Sequence, residues 1–147
     1  MTPAETLRSQ LLTFLDFDAN WYKSWYFDLR LEEEVQRCLR YNQSAAVISI
    51  SFVAPVDERG QKQLRELLGW LANAKLRSTD ILGILADGEL AVLLPHADRA
   101  GATVVVGRLL GGLVDYAPQS GIAVCPEDGG SAEQILSRAR RHRSLAA

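Results

Sequence analysis

The sequence predicts an α+β fold, with an antiparallel central sheet and flanking helices, from three observations. AAVISISF (residues 45–52) alternates and is rich in β-branched residues, which is typical of a strand. Asp87-Gly88 separates two apolar runs, and this dipeptide favours a two-residue hairpin because both central positions of a type I′ turn need φ > 0. Residues 61–76 place leucines at helical spacing, which indicates an amphipathic helix.

The other elements follow from the same patterns. Helices are predicted over residues 4–15, about 28–42, about 98–113 with Asp98 as N-cap, and after a capping box at Ser131 and Gln134; strands are predicted over about 80–86, 89–95 and 120–125. Without the outer helices the order is β-α-β-β-α-β, the ferredoxin-like arrangement. Right-handed crossovers place the first and third strands in the middle of the sheet. We assign residues 1–15 to an N-terminal helix or linker and residues 16–147 to the domain.

An aromatic cluster lies between the first two predicted helices. Its members are Trp21, Tyr22, Trp25, Tyr26 and Phe27. We expect core and dimer packing rather than base stacking, because Lys23 is the only basic residue interleaved with it. In the helix that follows, Leu31, Val35 and Leu39 are expected to face inward.

Composition and charge exclude several classes of protein. The chain has 147 residues, which suits one domain, and its net charge of −2 gives no global attraction to nucleic acids or anionic membranes. No run of 18 apolar residues is present, and Glu5 and Arg8 interrupt any signal peptide, so we expect a cytoplasmic protein. Cys38 and Cys125 lack metal-ligand spacing and are predicted to be buried thiols in a reducing compartment. Neither a metal nor a cofactor is expected.

Three stretches together resemble one family. YFDLRLEEEVQRCLRYN, ELAVLLPHADRAGA and SGIAVCPEDGGSAEQILSRA are similar, in order and spacing, to segments of the GGDEF domain of bacterial diguanylate cyclases. The resemblance spans roughly residues 16 to 143 and implies a role in signal transduction. The family's signature, Gly-Gly-Asp/Glu-Glu-Phe, then falls on Ala86-Asp87-Gly88-Glu89-Leu90.

The departures from that signature predict a domain that is not an enzyme. In active members the two glycines let the backbone approach the nucleotide, and the acidic pair serves metal binding and catalysis. Here Ala86 and Asp87 replace the glycines, and Gly88 replaces one of the two carboxylates. Ser49 and Ser51 stand where the resemblance implies two aspartates, and neutral hydroxyls are poor ligands for Mg²⁺. We therefore predict a degenerate, inactive domain with no catalytic residues.

A second family motif survives upstream of the hairpin. RSTD, from Arg77 to Asp80, matches in letters and spacing the RxxD inhibitory site that binds cyclic di-GMP, and Arg108 falls where a further arginine completes that site. Arginine offers bidentate donors to phosphate or to guanine O6 and N7. Ile84 replaces an arginine that many members carry. The sequence leaves open that Arg77 and Asp80 form only a solvated turn.

The sequence is compatible with two alternative functions. The domain can be an interaction module without a ligand, dimerising or docking a protein partner through its N-terminal helix and aromatic cluster. A residual cyclase is the least favoured alternative. The basic segment SRARRHR near the C-terminus is interpreted as a solvated helix face that complements the helix dipole, not as a nucleic-acid site.

Overall fold

The computed structural model of the chain describes residues 22–86, 88–141 and 143. The predicted helix or linker over residues 1–15, together with Trp21 and Asp87, lies outside these residues. The elements are β1 (Tyr22–Lys23), α1 (Ser24–Tyr41), β2 (Ala45–Ser51), α2 (Glu58–Lys75), β3 (Ile81–Ala86), β4 (Glu89–Pro95), α3 (Arg99–Gly112), a 3₁₀ turn (Val114–Tyr116), β5 (Gln119–Cys125) and α4 (Ala132–Arg141).

The sheet has the predicted topology with one additional strand. Its order is β1-β3-β4-β2-β5, and β3, β4, β2 and β5 pair antiparallel. Strands β2 and β4, the first and third of the predicted core, lie in the middle as expected. The two-residue strand β1 pairs parallel with β3 at the edge, with Tyr22 opposite Gly83. This strand was not predicted, because a two-residue segment carries no periodicity.

Each face of the sheet is covered by a pair of helices, which confirms the predicted sheet with flanking helices. Helices α2 and α3 cover one face, where Ile48, Ile50 and Leu68 are among the buried side chains. Helices α1 and α4 cover the other face, where Phe27 and Ile135 are fully buried. Burial of each such side chain contributes about 1.5–3 kcal/mol to the free energy of unfolding. The helices on both faces therefore stabilise the sheet.

Helix α1 agrees with the prediction at Leu31 and Val35, which are buried, and differs from it at Leu39. It begins at Ser24, and its buried stripe is centred on Phe27 and Cys38, whereas Leu39 is 47% exposed. At about 100° per residue, Cys38 lies about 20° from Phe27 around the helix and Leu39 about 120°. The expectation that Leu39 faces inward is therefore wrong. Trp25 is also 43% exposed, so the aromatic cluster is only partly core.

The predicted helix caps are present. The Asp98 carboxylate accepts a hydrogen bond from the Gly101 N–H at 2.8 Å, at the start of α3. The Ser131 hydroxyl accepts one from the Gln134 N–H at 3.2 Å, and the Gln134 side chain reaches back to the Gly130 N–H at 2.9 Å. Both caps satisfy backbone donors that a helix start leaves unpaired.

The loop between β5 and α4 is held by a buried carboxylate. Asp128 accepts hydrogen bonds from the Val124 N–H at 2.8 Å and from the Arg99 guanidinium at 2.5 Å. Burial alone would raise the pKa of Asp128, but these two donors outweigh it and hold that pKa below its usual range. The start of α3 is thereby tied to the loop that precedes α4.

The two cysteines are buried, as predicted, and they are neighbours. Cys38 on α1 and Cys125 at the end of β5 are both free thiols, and both belong to the core cluster between the sheet and helices α1 and α4. Burial raises the pKa of Cys125 to about 11, so this thiol is almost entirely protonated at neutral pH.

Candidate functional site

The hairpin between β3 and β4, where the resemblance places the family signature, is anchored to the end of β2. Ala86 pairs with Glu89, and Gly88 has φ +74°, as the predicted turn requires of its second central position. The Phe52 N–H donates to the Gly88 carbonyl at 2.8 Å. A Cβ at position 88 would lie only 2.6 Å from the Phe52 carbonyl oxygen. Glycine is therefore required here by both conformation and space.

The remaining carboxylate of the signature is engaged by two arginines. Glu89 Oε1 accepts hydrogen bonds from Arg140 Nε at 3.1 Å and Nη2 at 2.5 Å, and Oε2 accepts one from Arg143 Nη1 at 3.2 Å. The Glu89 side chain is 16% exposed. Its charge is thus neutralised by side chains at and just beyond the end of α4. This pairing was not predicted from the sequence, because Arg140 and Arg143 are 51 and 54 residues away from Glu89 in the chain.

The two serines of β2 lie on the same sheet face as Glu89. Ser51 is opposite Glu89 on β4, and Ser49, one pair deeper, lies between Ala91 and Gly121. Ser49 is fully buried, and its hydroxyl has no hydrogen-bond partner among the described residues. A lone buried hydroxyl next to alanine and glycine offers no charged oxygen to a divalent cation. No group of three His, Cys, Asp or Glu arranged to hold a metal occurs in residues 22–86, 88–141 and 143.

A cavity with a mixed polar and apolar wall lies beside the hairpin on the opposite face of the sheet. Its volume is about 330 Å³, and it extends between the hairpin, the β2–α2 loop and α2. The lining residues are Phe52, Ala54, Pro55, Gln61, Leu64, Arg65, Leu68, Ile84, Ala86 and Gly88. No carboxylate is among these described residues, so this part of the wall offers no charged oxygen ligand to an Mg²⁺ ion.

The RSTD motif forms a closed turn immediately before β3. The Asp80 carboxylate accepts hydrogen bonds from the Arg77 backbone N–H at 2.8 Å and from Arg77 Nη2 at 3.0 Å. The same guanidinium donates to the Pro95 carbonyl at 2.9 Å. The Asp80 side chain is 1% exposed, whereas that of Arg77 is 59% exposed. The turn therefore buries the carboxylate and presents the cation to solvent.

The two arginines predicted for ligand binding line one open groove. This groove, of about 430 Å³, runs between the RSTD turn, the end of β4 and α3. Its polar lining consists of Ser44, Arg77, His96, Asp98 and Arg108. Arg77 and Arg108 are thus brought to the same concavity although they are 31 positions apart in the chain. Asp80 does not line the groove, but its carboxylate accepts a hydrogen bond from the Arg77 guanidinium.

The four antiparallel strands lie in the order β3-β4-β2-β5, with helix pairs on both faces and a short hairpin between β3 and β4, which is the α+β, ferredoxin-like arrangement predicted from the sequence. The chain matches no protein-family model and no curated protein sequence. No helix in the described residues is long and apolar enough to cross a membrane.

Solved structures identify the fold more narrowly. The GGDEF domain of PA1120 (TpbB or YfiN) from Pseudomonas aeruginosa superposes with a TM-score of 0.73 at 22% identity, covering 85% of this chain and 83% of that one. The diguanylate cyclase SiaD from Pseudomonas aeruginosa, solved in complex with its activator SiaC, gives 0.76 at 19% identity, over 95% and 60%. The GGDEF domain of DgcB from Caulobacter crescentus, in complex with c-di-GMP, gives 0.70 at 14% identity, over 87% and 84%. The domain has the GGDEF fold, which confirms the resemblance at the level of structure.

Proposed function

We propose that this domain is a catalytically inactive receptor for cyclic di-GMP and relays ligand binding to a protein partner. The observation that carries the proposal is the groove in which Arg77 and Arg108 converge. Two guanidinium groups on one concave surface suit a ligand with two phosphodiesters and two guanines, because arginine pairs with phosphate oxygens and with guanine O6 and N7. The complexes of the structural neighbours with c-di-GMP and with an activator protein support both parts of the proposal.

Asp80 then has a positioning role. Its carboxylate holds the Arg77 guanidinium and the turn backbone at the same time. An arginine fixed before binding loses less side-chain entropy when the ligand arrives. A direct hydrogen bond from a guanine N–H to the Asp80 carboxylate would require that its hydrogen bonds with Arg77 break first.

Titration calorimetry with cyclic di-GMP tests the receptor proposal. Arg77→Ala and Arg108→Ala should each weaken binding by about 10- to 100-fold, because each removes a charge-assisted hydrogen-bond donor. Arg141→Ala is the matched control, since Arg141 is an exposed arginine outside the groove and should leave the affinity unchanged. No heat with protein on the order of tens of micromolar, or an unchanged affinity in Arg77→Ala, would contradict the proposal.

The absence of cyclase activity is supported by the state of the hairpin. The fully buried Ser49 and the partly buried Ser51 replace carboxylates, and Glu89 is neutralised by two arginines. Incubation with GTP and Mg²⁺ or Mn²⁺ should therefore yield no dinucleotide product. Turnover that disappears in Glu89→Ala would show that this carboxylate still works in catalysis.

A second candidate is a protein-interaction or dimerisation module that needs no nucleotide. It is favoured by the large apolar side chains that α1 exposes, which are Trp25, Leu29, Leu39 and Tyr41. This candidate predicts an oligomer in sedimentation velocity whose mass does not change with cyclic di-GMP and falls in Leu29→Lys. A monomer that captures no partner would count against it.

A further inference from the structure

His96 occupies an unusual backbone conformation at the edge of the groove. It follows directly after β4 and has φ +58°, a left-handed conformation that glycine adopts without strain and most other residues do not. The side chain is exposed, and it lines the groove together with Arg77 and Arg108. The imidazole is thereby placed at the edge of the groove, beside Arg77 and Arg108.

The surroundings of His96 connect it to the predicted ligand contacts. Arg77 donates to the carbonyl of Pro95, the residue immediately before His96, so the guanidinium and the imidazole are anchored to adjacent backbone units. Arg108 faces the groove from α3. His96 therefore lies in a groove that two arginines also line.

We propose that His96 is a third, protonation-dependent contact for the phosphodiester groups of a cyclic dinucleotide in this groove. The inference rests on the proposed receptor function and adds a residue and a regulation to the same site. The protonated imidazole donates a hydrogen bond and carries a positive charge toward the phosphate, and the neutral imidazole loses the charge.

Of the ionisable side-chain types that line the groove, only histidine changes charge in the relevant pH range. Histidine side chains ordinarily titrate between about pH 5 and 8. The arginines stay protonated throughout this range, and Asp98, the one acidic side chain lining the groove among the described residues, is engaged as the N-cap of α3. Asp80 lies beneath Arg77 and is paired with it. The ligand's phosphodiesters keep their negative charges over the same range, so a pH dependence of binding that disappears in His96→Asn reports on His96.

The experiment is a calorimetric titration with cyclic di-GMP at pH 5.5 and pH 8. The wild-type protein should bind about fivefold more weakly at pH 8, the change expected for one partly screened charge about 4 Å from another. His96→Asn should show the weaker affinity at both values, because asparagine tolerates the left-handed conformation and does not titrate. Arg141→Ala should keep the pH dependence of the wild type.

A second measurement covers the case in which His96→Asn folds poorly. The chain has two histidines, so the imidazole resonances of the wild-type protein are resolved by NMR and assigned with the variant. By linkage, the ligand should raise the titration midpoint of His96 by about 0.7 pH unit, the logarithm of a fivefold change. An equal affinity at both pH values, an unshifted midpoint, or a pH dependence retained in His96→Asn would overturn the inference while the receptor proposal stands. No binding at any pH would overturn both.

Discussion

Replacement of Ser49 by alanine is expected to stabilise the domain. The Ser49 hydroxyl is fully buried and unpaired among the described residues, between Ala91 and Gly121 in the middle of the sheet. Burial of an unpaired hydroxyl costs about 1–3 kcal/mol. Removal of one atom also forfeits a few dispersion contacts of about 0.1–0.2 kcal/mol each. The net expectation is a gain of about 1 kcal/mol in the free energy of unfolding.

Urea unfolding followed by circular dichroism measures this gain, and calorimetry should show a melting temperature higher by about 4 °C for a domain of this size. Ser51→Ala is the control: Ser51 is partly exposed, so water can satisfy its hydroxyl and the change should stay within about 0.5 kcal/mol. If Ser49→Ala destabilises the domain by more than about 0.5 kcal/mol, the hydroxyl has a partner such as a buried water and the reasoning is wrong.

Three further changes test the hairpin and the β5–α4 loop. Gly88→Ala should cost about 2 kcal/mol or more, through a positive φ and a Cβ 2.6 Å from the Phe52 carbonyl oxygen, whereas Gly130→Ala, with nothing within 4 Å, should change urea stability little. Glu89→Gln should lower stability by about 1 kcal/mol at low salt, and the difference should shrink as the ionic strength rises. Asp128→Asn should cost about 1 kcal/mol at pH 7. Because the folded-state pKa of Asp128 is depressed, its contribution is present above about pH 4 and is lost as the pH falls through that lower pKa, so the wild type and the variant should converge in acid. Equal acid sensitivity of the two proteins would refute this assignment.

The sequence predicted well those features that depend on local pattern. The β-branched residues in 45–52 located β2, which is buried on both faces, and the leucines in 61–76 located α2 because its buried side chains repeat with the helical period. The caps at Asp98 and Ser131 were predicted because they depend on residues only three apart. Leu39 was misplaced because the inward stripe is centred on Phe27, a residue outside the predicted start of the helix.

The site was predicted less completely, for a physical reason. The neutralisation of Glu89 by Arg140 and Arg143 depends on how α4 packs across the sheet, and no local spacing encodes a contact over 51 residues. The convergence of Arg77 and Arg108 was expected only from the family resemblance. The closed hydrogen bonding of Asp80 within its own turn was raised only as an alternative, and the structure shows that the turn and an exposed arginine occur together.

The contact between Gly88 and Phe52 also bears on the direction in which this hairpin can evolve. In this backbone, a single substitution that places an acidic side chain at position 88 puts its Cβ 2.6 Å from the Phe52 carbonyl oxygen. The end of β2 would have to move to make room for it. A side chain at position 88 is therefore accommodated only together with a change in the backbone around Phe52.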